Sequence, residues 1–388
     1  MKPIDKEALY WLWLASVTEL SPIKKSRLAK AFGDPEAIYE ASPSQLRRIP
    51  RFTPDNIEKL EAHRSLEPVE RMAEQLAKSK VSILPVTDPE YPQSLLELKD
   101  PPALLFARGR TELLNAPLRA GIVGSRSCTP YGSSQAEKFA RVFSENGIAV
   151  VSGMAYGIDT AAHEGALRFR GSTVAVLGSG INVCYPPENR ELFRRIARDG
   201  VVVTEYYPGE AALRYHFPQR NRIISGLSQC LLVIEARAKS GALITAGYAL
   251  DEGKEVYAIP QNINTNRGSG SNELLKAGAH MATEPEDVIF GLCGDVRVCY
   301  EVKPGRNQVS PVPETAGRAL SGTSYDTERE KTLTDLNRLV LTKIRDGAET
   351  PDVLMEAAGL DISVMNLALS ELELSGFIRI EFGRLYAL

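Results

Sequence analysis

Hydrophobic and polar positions alternate with two different periods along the 388 residues of this chain. Over the first 78 residues, apolar side chains such as Leu9, Leu12 and Trp13 recur at helical spacing, and Ser, Asp and Thr stand before prolines where helices would begin. This pattern predicts an all-α domain over residues 1–78. The apolar stretch from Leu9 to Val17 is too short to cross a bilayer, so we expect a buried helix there and no membrane span or signal peptide.

Between residues 79 and 292 the pattern changes to short apolar runs separated by helical stretches. Several runs are apolar at nearly every position, which is typical of strands covered on both faces. The runs lie at 81–86, 103–107, 119–123, 148–151, 173–177, 201–203, 231–235 and 255–259, and helical patterns lie notably at 132–146, 157–169, 188–198 and 241–252. This alternation predicts an α/β domain built on a doubly wound, mainly parallel sheet of the Rossmann type.

The rest of the sequence divides into a polar stretch and a short final domain. Residues 293–334 are rich in Pro, Gly, Ser and Thr, which predicts a flexible linker. Residues 335–388 show three helical patterns and then two short apolar runs around Gly383, the order that is typical of a winged-helix domain. The segment 361–376 contains no basic residue, so we predict that the third helix does not bind DNA and that this domain contacts protein instead.

Composition narrows the possible partners. The chain is 43% hydrophobic and 24% charged, which predicts a well-buried core, and its net charge is −3. A nucleic-acid site would therefore have to be a local cluster of basic residues. The five cysteines are scattered and form no C-x-x-C pair, so we expect no zinc site and no disulfide framework, but reduced thiols in a cytoplasmic protein.

Candidate binding residues follow the predicted strands, because ligands of open α/β sheets lie beyond the carboxyl ends of the strands. The turn Gly124–Arg126 follows the run at 119–123 and precedes a helix, and its backbone amides and guanidinium favour an anion such as phosphate. A plain turn with a solvated arginine is the alternative interpretation. Ser240-Gly241, with Thr245 one helical turn later, forms another amide-rich turn at the same edge of the sheet.

The segment Arg214–Arg222 is the densest cluster of basic and aromatic side chains, with three arginines, a histidine and two aromatic residues. Arginine can contact phosphates, and Tyr and Phe offer faces on which unpaired bases can stack. This combination favours a single strand, because duplex bases are hidden in their own stack. In the alternative interpretation, Arg220 and Arg222 form internal ion pairs between sheet and helix.

Other motifs favour no catalytic or cofactor site. Asp159 and His163 could share one helical face as a metal pair, but further ligands are lacking, and capping or packing is the favoured interpretation. Gly178-Ser179-Gly180 resembles the start of a dinucleotide fingerprint, yet Val183 occupies the third glycine position. The sequence has no G-K-[ST] phosphate loop, no G-x-S-x-G elbow and no zinc-deaminase motif, so we expect neither a catalytic residue nor a metal or other cofactor.

Ordered blocks of the sequence resemble the DprA (Smf) family. They include Gly121–Arg126, Val151–Gly153, Gly157–Asp159, Ala175–Gly178, Phe217-Pro218, Arg220–Ser228 and Ser240-Gly241. The resemblance implies a helical SAM-like N-terminal domain, an extended Rossmann domain that binds single-stranded DNA, and a C-terminal winged helix. It also implies a cytoplasmic, non-enzymatic homodimer that protects incoming DNA and loads RecA onto it in natural transformation and recombination.

The residue patterns and the resemblance together give one set of predicted DNA-binding residues. The set comprises Gly124, Ser125, Arg126, Tyr156, Arg214, His216, Phe217, Arg220, Asn221, Arg222, Ser240, Gly241 and Thr245. Two positions depart from the family pattern. Tyr156 stands where many members have a basic residue, so that one phosphate contact is weakened or replaced by stacking, and Gln261 follows Pro260 where glycine is usual.

Two other classes of function compete with this interpretation. Related phosphoribohydrolases carry a P-G-G-x-G-T-x-x-E motif, and in the corresponding stretch Ala238–Thr245 a threonine takes the place of the glutamate. The acid expected for ribosyl cleavage is therefore missing there, although Glu235 is close in sequence. A transcription factor based on the winged helix would need a basic recognition helix, which the acidic segment 361–376 does not offer.

Overall fold

The computed structural model describes residues 6–169, 172–293 and 334–345, together with part of residues 353–387. The chain divides into two compact units, Met1–Arg306 and Asn307–Leu388. The predicted linker at 293–334 lies almost entirely outside the described residues. None of the helices in the described residues combines the length and apolar character needed to cross a membrane.

The N-terminal residues of the first unit are helical, as the apolar spacing predicts. The helices are α1 (Lys6–Ser16), α2 (Pro22–Phe32), α3 (Pro35–Glu40), α4 (Pro43–Leu46), α5 (Pro54–Ala62) and α6 (Glu67–Lys78). Helices α2 to α5 each begin at a proline, whose fixed φ suits the first helical turn. Trp11 and Trp13 of α1 are fully buried in one hydrophobic core with Phe106 and Val202, which belong to strands of the sheet.

The described strands of the first unit form one sheet. They are β1 (Ser82–Pro85), β2 (Leu104–Gly109), β3 (Arg119–Val123), β4 (Ala149–Ser152), β5 (Thr173–Val176), β6 (Val201–Thr204), β7 (Cys230–Val233), β8 (Glu255–Ala258) and β9 (His280–Met281). Their order is β1-β2-β6-β5-β4-β3-β7-β8-β9. The seven strands that run from β6 to β9 along this order are all parallel to one another. Strand β2 pairs antiparallel with both β1 and β6. The predicted mainly parallel α/β sheet is confirmed.

Helices cover both faces of this sheet. They are α7 (Gln93–Leu96), α8 (Pro130–Glu145), α9 (Ile158–Leu167), α10 (Arg190–Asp199), α11 (His216–Leu227), α12 (Gly241–Asp251), α13 (Ser269–Lys276) and α14 (Pro285–Cys293), with 3-10 turns at Thr111–Asn115 and Pro187–Asn189. Leu231 and Val233 face the core under α11 and α12, and Leu232 between them faces the core under α8 and α9. Because these strands are buried on both faces, they appear in the sequence as continuous apolar runs.

The strand order reverses between β3 and β7. The chain winds from β3 through β4 and β5 to β6 on one side, then crosses back through α11 to β7 and continues to β8 on the other. At such a switch point the loops that follow the two central strands diverge and leave a crevice at their carboxyl ends. The crevice is therefore expected between the loops after β3 and β7, beside the start of α11.

Three local features differ from the sequence-based expectation. Helix α11 occupies the basic and aromatic segment, to which the pattern assigned no element, and the two-residue strand β9 was too short to produce an apolar run. The turn after Pro260 forms without the usual glycine. There the Gln261 side-chain amide donates to the backbone oxygen of Ile234 at 2.8 Å, and the Gln261 backbone N donates to Asn272 Oδ1 at 3.0 Å.

The second unit has its own small core. Helix α15 (Asp335–Arg345) packs with an antiparallel hairpin of β10 (Ile378–Glu381) and β11 (Arg384–Ala387). Much of the acidic segment 361–376 lies outside the described residues. Its described members Met365, Ala368, Leu369 and Leu372 are buried in this core with Val340, Leu341 and Ile344. The prediction that the third helix does not bind DNA stays a prediction.

Candidate nucleic-acid-binding site

A pocket of about 550 Å³ opens beyond the carboxyl ends of β3 and β7. Its walls come from the loops after these strands and from α11 and α12, which the strand order brings together. Most of the predicted DNA-binding residues line it, namely Gly124, Ser125, Arg126, Arg214, Phe217, Arg220, Asn221, Ser240, Gly241 and Thr245. The predicted residues that do not line it are Tyr156, His216 and Arg222.

The turn after β3 is held close to the neighbouring loops by backbone contacts. Ser125 N donates to the Glu235 backbone oxygen at 2.7 Å, and Ile158 N donates to the Ser125 oxygen at 3.2 Å. Gly157 makes this approach possible, because it has a φ of 75° and a Cβ there would lie 2.3 Å from the Ser125 oxygen. The turn is therefore fixed on both sides, and it presents Arg126 at the mouth of the pocket.

Arg126 is a cation without a hydrogen-bonded or ion-paired partner among the described residues, and the buried Asp159 is an acid near enough to interact with it electrostatically. The Arg126 side chain is exposed. Its guanidinium carbon lies 4.8 Å from the centre of the Phe217 ring, a distance typical of a cation–π contact. The Phe217 ring in turn lies 5.4 Å from the Tyr185 ring. A free guanidinium thus stands beside two aromatic rings.

Arg220 supplies a second positive charge from behind the pocket. It is 2% exposed, and its Nη1 donates to the backbone oxygens of Gly153, at 2.7 Å, and of Val176. Burial lowers the pKa of Arg220 to about 10, so the side chain remains a cation at neutral pH. Asp159, also part of the pocket lining, accepts from Ala155 N at 3.3 Å. Burial raises the pKa of this carboxyl, and the nearby Arg220 opposes the shift.

Arg222 forms an internal ion pair, as the alternative interpretation of the sequence expects. Its Nη2 donates to Glu205 at the end of β6, and the two side chains are only 7% and 3% exposed. Arg222 lies two residues after Arg220 on α11, and residues at that spacing do not share a helix face. The structure therefore points Arg222 away from the pocket that Arg220 lines.

His216 and Tyr156 also have partners of their own outside the pocket lining. The His216 ring stacks on Tyr206 with centroids 4.0 Å apart, and its Nδ1 lies 3.2 Å from the Gly178 oxygen. Burial lowers the pKa of His216, which favours the neutral ring. The Tyr156 hydroxyl donates to Glu188, and this hydrogen bond raises the pKa of Tyr156 to about 12.

His163 has the packing role that the sequence favours. It is fully buried, and Met154 N donates to its Nε2 at 3.3 Å. Its Nδ1 lies 2.7 Å from Thr173 Oγ1, which itself donates to the Val150 oxygen at 3.0 Å, so the ring must donate from Nδ1. Burial lowers the pKa of His163 to about 3, and both ring nitrogens are engaged. Among the described residues, no three His, Cys, Asp or Glu side chains come together as metal ligands.

The pocket contains functional candidates that the sequence analysis did not select. Arg237 and Tyr185 line it, and both are exposed. Arg237 comes shortly after β7, so the rule that led to the turn after β3 would also have found it. Tyr185 lies nine residues beyond the end of β5, and nothing in the local pattern shows that its loop returns to Phe217.

Glu235 is positioned as a structural residue. Its carboxylate accepts from Thr129 N at 3.1 Å and from Thr129 Oγ1 at 2.6 Å, and the side chain is 1% exposed. It thereby holds the residue that caps α8, whose Oγ1 accepts from Gly132 N at 3.0 Å. Glu235 is absent from the pocket lining, so the acid that a ribosyl-cleaving enzyme would need there is not supplied by this residue.

Comparison with known proteins identifies the family. The model of the DNA recombination-mediator protein A family matches residues 82–292, and that of the DprA winged helix domain matches residues 326–384. Protein Smf of Synechocystis sp. is 33% identical over 98% of this chain and 99% of its own length. DNA processing protein A of Streptococcus pneumoniae superposes with a TM-score of 0.60 at 34% identity, covering 73% of this chain and 98% of that structure.

A second solved relative was studied for the way in which it binds single-stranded DNA. This is DNA processing protein A of Helicobacter pylori, described for its single-stranded DNA binding mode, with a TM-score of 0.51 and 32% identity over 55% of this chain and 96% of that structure. The matched family model covers more than half of this chain, and the Synechocystis relative matches nearly all of it. This chain therefore belongs to the DprA (Smf) family of DNA-processing proteins.

Proposed function

We propose that this protein binds single-stranded DNA, without sequence preference, in the pocket between β3 and β7. The observation that carries the proposal is Arg126, an unpaired guanidinium that lies over Phe217 and beside Tyr185. A cation over the half-buried Phe217 ring, with the exposed Tyr185 ring beside that ring, suits a strand whose phosphates and unpaired bases are both accessible. The single-stranded DNA binding mode described for the Helicobacter pylori relative supports the same ligand class.

Different lining residues contact the phosphates and the bases of the strand. Arg126 and Arg214 are exposed cations that can each contact a phosphate. The first turn of α12, which begins at Gly241, offers backbone amides and the positive end of the helix dipole to another phosphate. Phe217 offers its ring face to a base. Phosphates and base faces occur in every nucleotide, so we expect little sequence preference.

We further propose that the protein acts by binding and not by catalysis. Glu235 is engaged by Thr129, which supports this view against the nucleotide-processing alternative. Family membership supports a cytoplasmic homodimer that protects incoming DNA and loads RecA onto it in natural transformation. Monomeric sedimentation of the purified chain, or RecA filament assembly that this protein does not accelerate, would contradict these two parts.

The test of the proposed site is the variant Arg126→Ala. The wild type should bind a labelled single strand more tightly than the matching duplex, and raising the salt concentration should weaken this binding. Removing one phosphate contact should lower the slope of log K against log salt by about 0.7 and weaken binding roughly tenfold. The measurement is fluorescence anisotropy across a salt series, with circular dichroism to verify folding.

Arg108→Ala is the matched control. Arg108 is also exposed and unpaired within the described residues, but it lies on β2 opposite Val202, away from the pocket. Its removal changes the net charge by the same amount and should leave binding unchanged. The proposal is wrong if the wild type binds single strand and duplex equally well. It is also wrong if a folded Arg126→Ala protein binds the single strand with wild-type affinity.

A further inference from the structure

We propose that the bound single strand leaves the pocket across a second surface, formed by the loops that follow β7 and β8. We name its cations, Arg237, Lys239 and Arg267, the basic edge. The inference rests on the proposed function, because it extends the path of the same ligand. It assigns DNA contacts to Lys239 and Arg267, which do not line the pocket.

The size of the pocket requires such a continuation. Its volume of about 550 Å³ is in the range of sites for small ligands, roughly 300–1,000 Å³. Proteins that bind single strands through OB folds cover about 4–16 nucleotides per fold, and we expect a site of similar length here. A strand held in the pocket must therefore cross the neighbouring surface on at least one side.

Backbone contacts bring the two loops together at this side. Gly270 N donates to the Ala236 oxygen at 2.8 Å, and Ala238 N donates to Ser269 Oγ at 3.2 Å. The loop after β8 is thus fixed against the loop after β7, whose Arg237 lines the pocket. The three cations therefore lie on two neighbouring loops, one of which also lines the pocket.

The loop after β8 also offers an apolar contact. Ile263 is 88% exposed, the kind of side chain against which an unpaired base can lie. Exposed amide side chains flank it at Asn262 and Asn264. A flexible strand that follows the basic edge would therefore meet cations, amides and one apolar side chain in turn.

The loop segments that carry these cations contain no acid, and the exposed Glu273 follows them on α13. All three members of the basic edge are exposed and have no hydrogen-bond or ion-pair partner within the described ranges. Segments 236–241 and 259–272 contain no acidic residue. The acids between them are Asp251, Glu252 and Glu255, which lie at the end of α12 and the start of β8 and hence at the opposite edge of the sheet.

A phosphate backbone is the partner that fits these observations. Cations without counter-charges lose little by binding an anion, and each phosphate that they neutralise releases condensed counterions. An acidic protein surface would also be attracted, but it would not have to pass through the pocket. The place of Arg237 in the same pocket lining as Arg126 therefore favours the DNA strand.

The experiment compares short and long strands on the full chain. The double variant Lys239→Ala/Arg267→Ala is titrated with a thymidine dinucleotide as the short strand and with an oligothymidylate of about 16 nucleotides as the long strand, the upper limit that single-strand-binding folds span. The longer strand should bind roughly tenfold more weakly than to the wild type, with a salt slope smaller by about 1.4. The short strand, which the pocket alone can hold, should bind as to the wild type.

The matched control is Arg108→Ala/Lys276→Ala. It also removes one arginine and one lysine that are exposed and unpaired within the described residues, but these lie on β2 and at the far end of α13. It should leave both affinities unchanged. If it weakens long-strand binding as much as the test variant does, the effect is one of net charge and the inference is wrong.

The remaining outcomes separate this inference from the proposed function. Wild-type affinity of the test variant for the long strand, with binding still lost in Arg126→Ala, overturns the basic edge and leaves the pocket in place. Equal weakening for both lengths also overturns it, because the two residues would then act within the pocket. Failure of the wild type to bind any single strand removes the proposed function and the basic edge with it.

Discussion

At the scale of residues, the site shows how two arginines of one helix take different roles. Arg220 lines the pocket, whereas Arg222 is paired with Glu205 beneath it. The sequence contains both arginines but cannot assign them, because the assignment depends on which face of α11 meets the sheet. Once α11 is known to be a helix, the two-residue spacing alone excludes a shared face.

The Arg222–Glu205 pair can be tested by a double-mutant cycle. Removing one partner leaves the other charge buried and unpaired, so Arg222→Met and Glu205→Leu should each lower the free energy of unfolding by about 3–5 kcal/mol. The double variant should lose much less than the sum, because it leaves neither member of the pair unpaired, although the buried Lys25 loses the attraction of Glu205. Urea denaturation followed by circular dichroism gives the values.

The same cycle has a functional readout. Arg222 does not line the pocket, so the double variant, if folded, should bind single-stranded DNA with wild-type affinity. Additive losses of stability would show that the two charges do not interact in solution. Loss of DNA binding by the folded double variant would show that Arg222 acts on the ligand after all.

At the scale of elements, the strands could be predicted from sequence more readily than the site. Buried parallel strands produce continuous apolar runs, and the turn Gly124–Arg126 could be found because it follows one of them directly. Helix α11 has no such signal, since it is buried on most sides and carries polar residues that face the pocket. Tyr185 and Phe217 meet only because the chain crosses from β6 to β7, a step that no local spacing records.

The close contact between the start of α9 and the turn after β3 leaves no room for a single added methyl group. In Gly157→Ala the new Cβ would meet the Ser125 oxygen, and alanine disfavours the φ of 75°. We expect a loss of about 2 kcal/mol or more in unfolding free energy, as is usual for strained backbone, and weaker single-strand binding because Arg126 moves with the turn. Urea denaturation and anisotropy measure the two effects.

Gly247→Ala provides the control for that substitution. Gly247 lies inside α12, and a Cβ there would have no neighbouring atom within 4 Å. The same chemical change should therefore stabilise the protein by about 0.5–1 kcal/mol, since alanine is the better helix former. Wild-type stability and DNA affinity in Gly157→Ala would mean that the turn tolerates displacement and does not position Arg126.

At the scale of the whole molecule, the two units have separate cores. The core of the helical N-terminal residues continues into the sheet, so Trp11 and Phe106 belong to one cluster. The second unit has a cluster of its own, which includes Val340 and Leu372. The sequence predicts the winged helix from its element order, and the matching family model confirms it.

This division leads to a prediction about truncation. A chain that ends at Arg306 retains each pocket residue and each member of the basic edge, together with the hydrophobic clusters that hold them. It should fold and bind a single strand with the affinity and salt slope of the full chain, because the removed unit presents no basic residue on the acidic segment 361–376. Anisotropy on both chains across one salt series makes the comparison. A truncated chain that folds but binds much more weakly would show that the second unit contributes DNA contacts through basic residues outside the segment 361–376, such as Lys343 of α15.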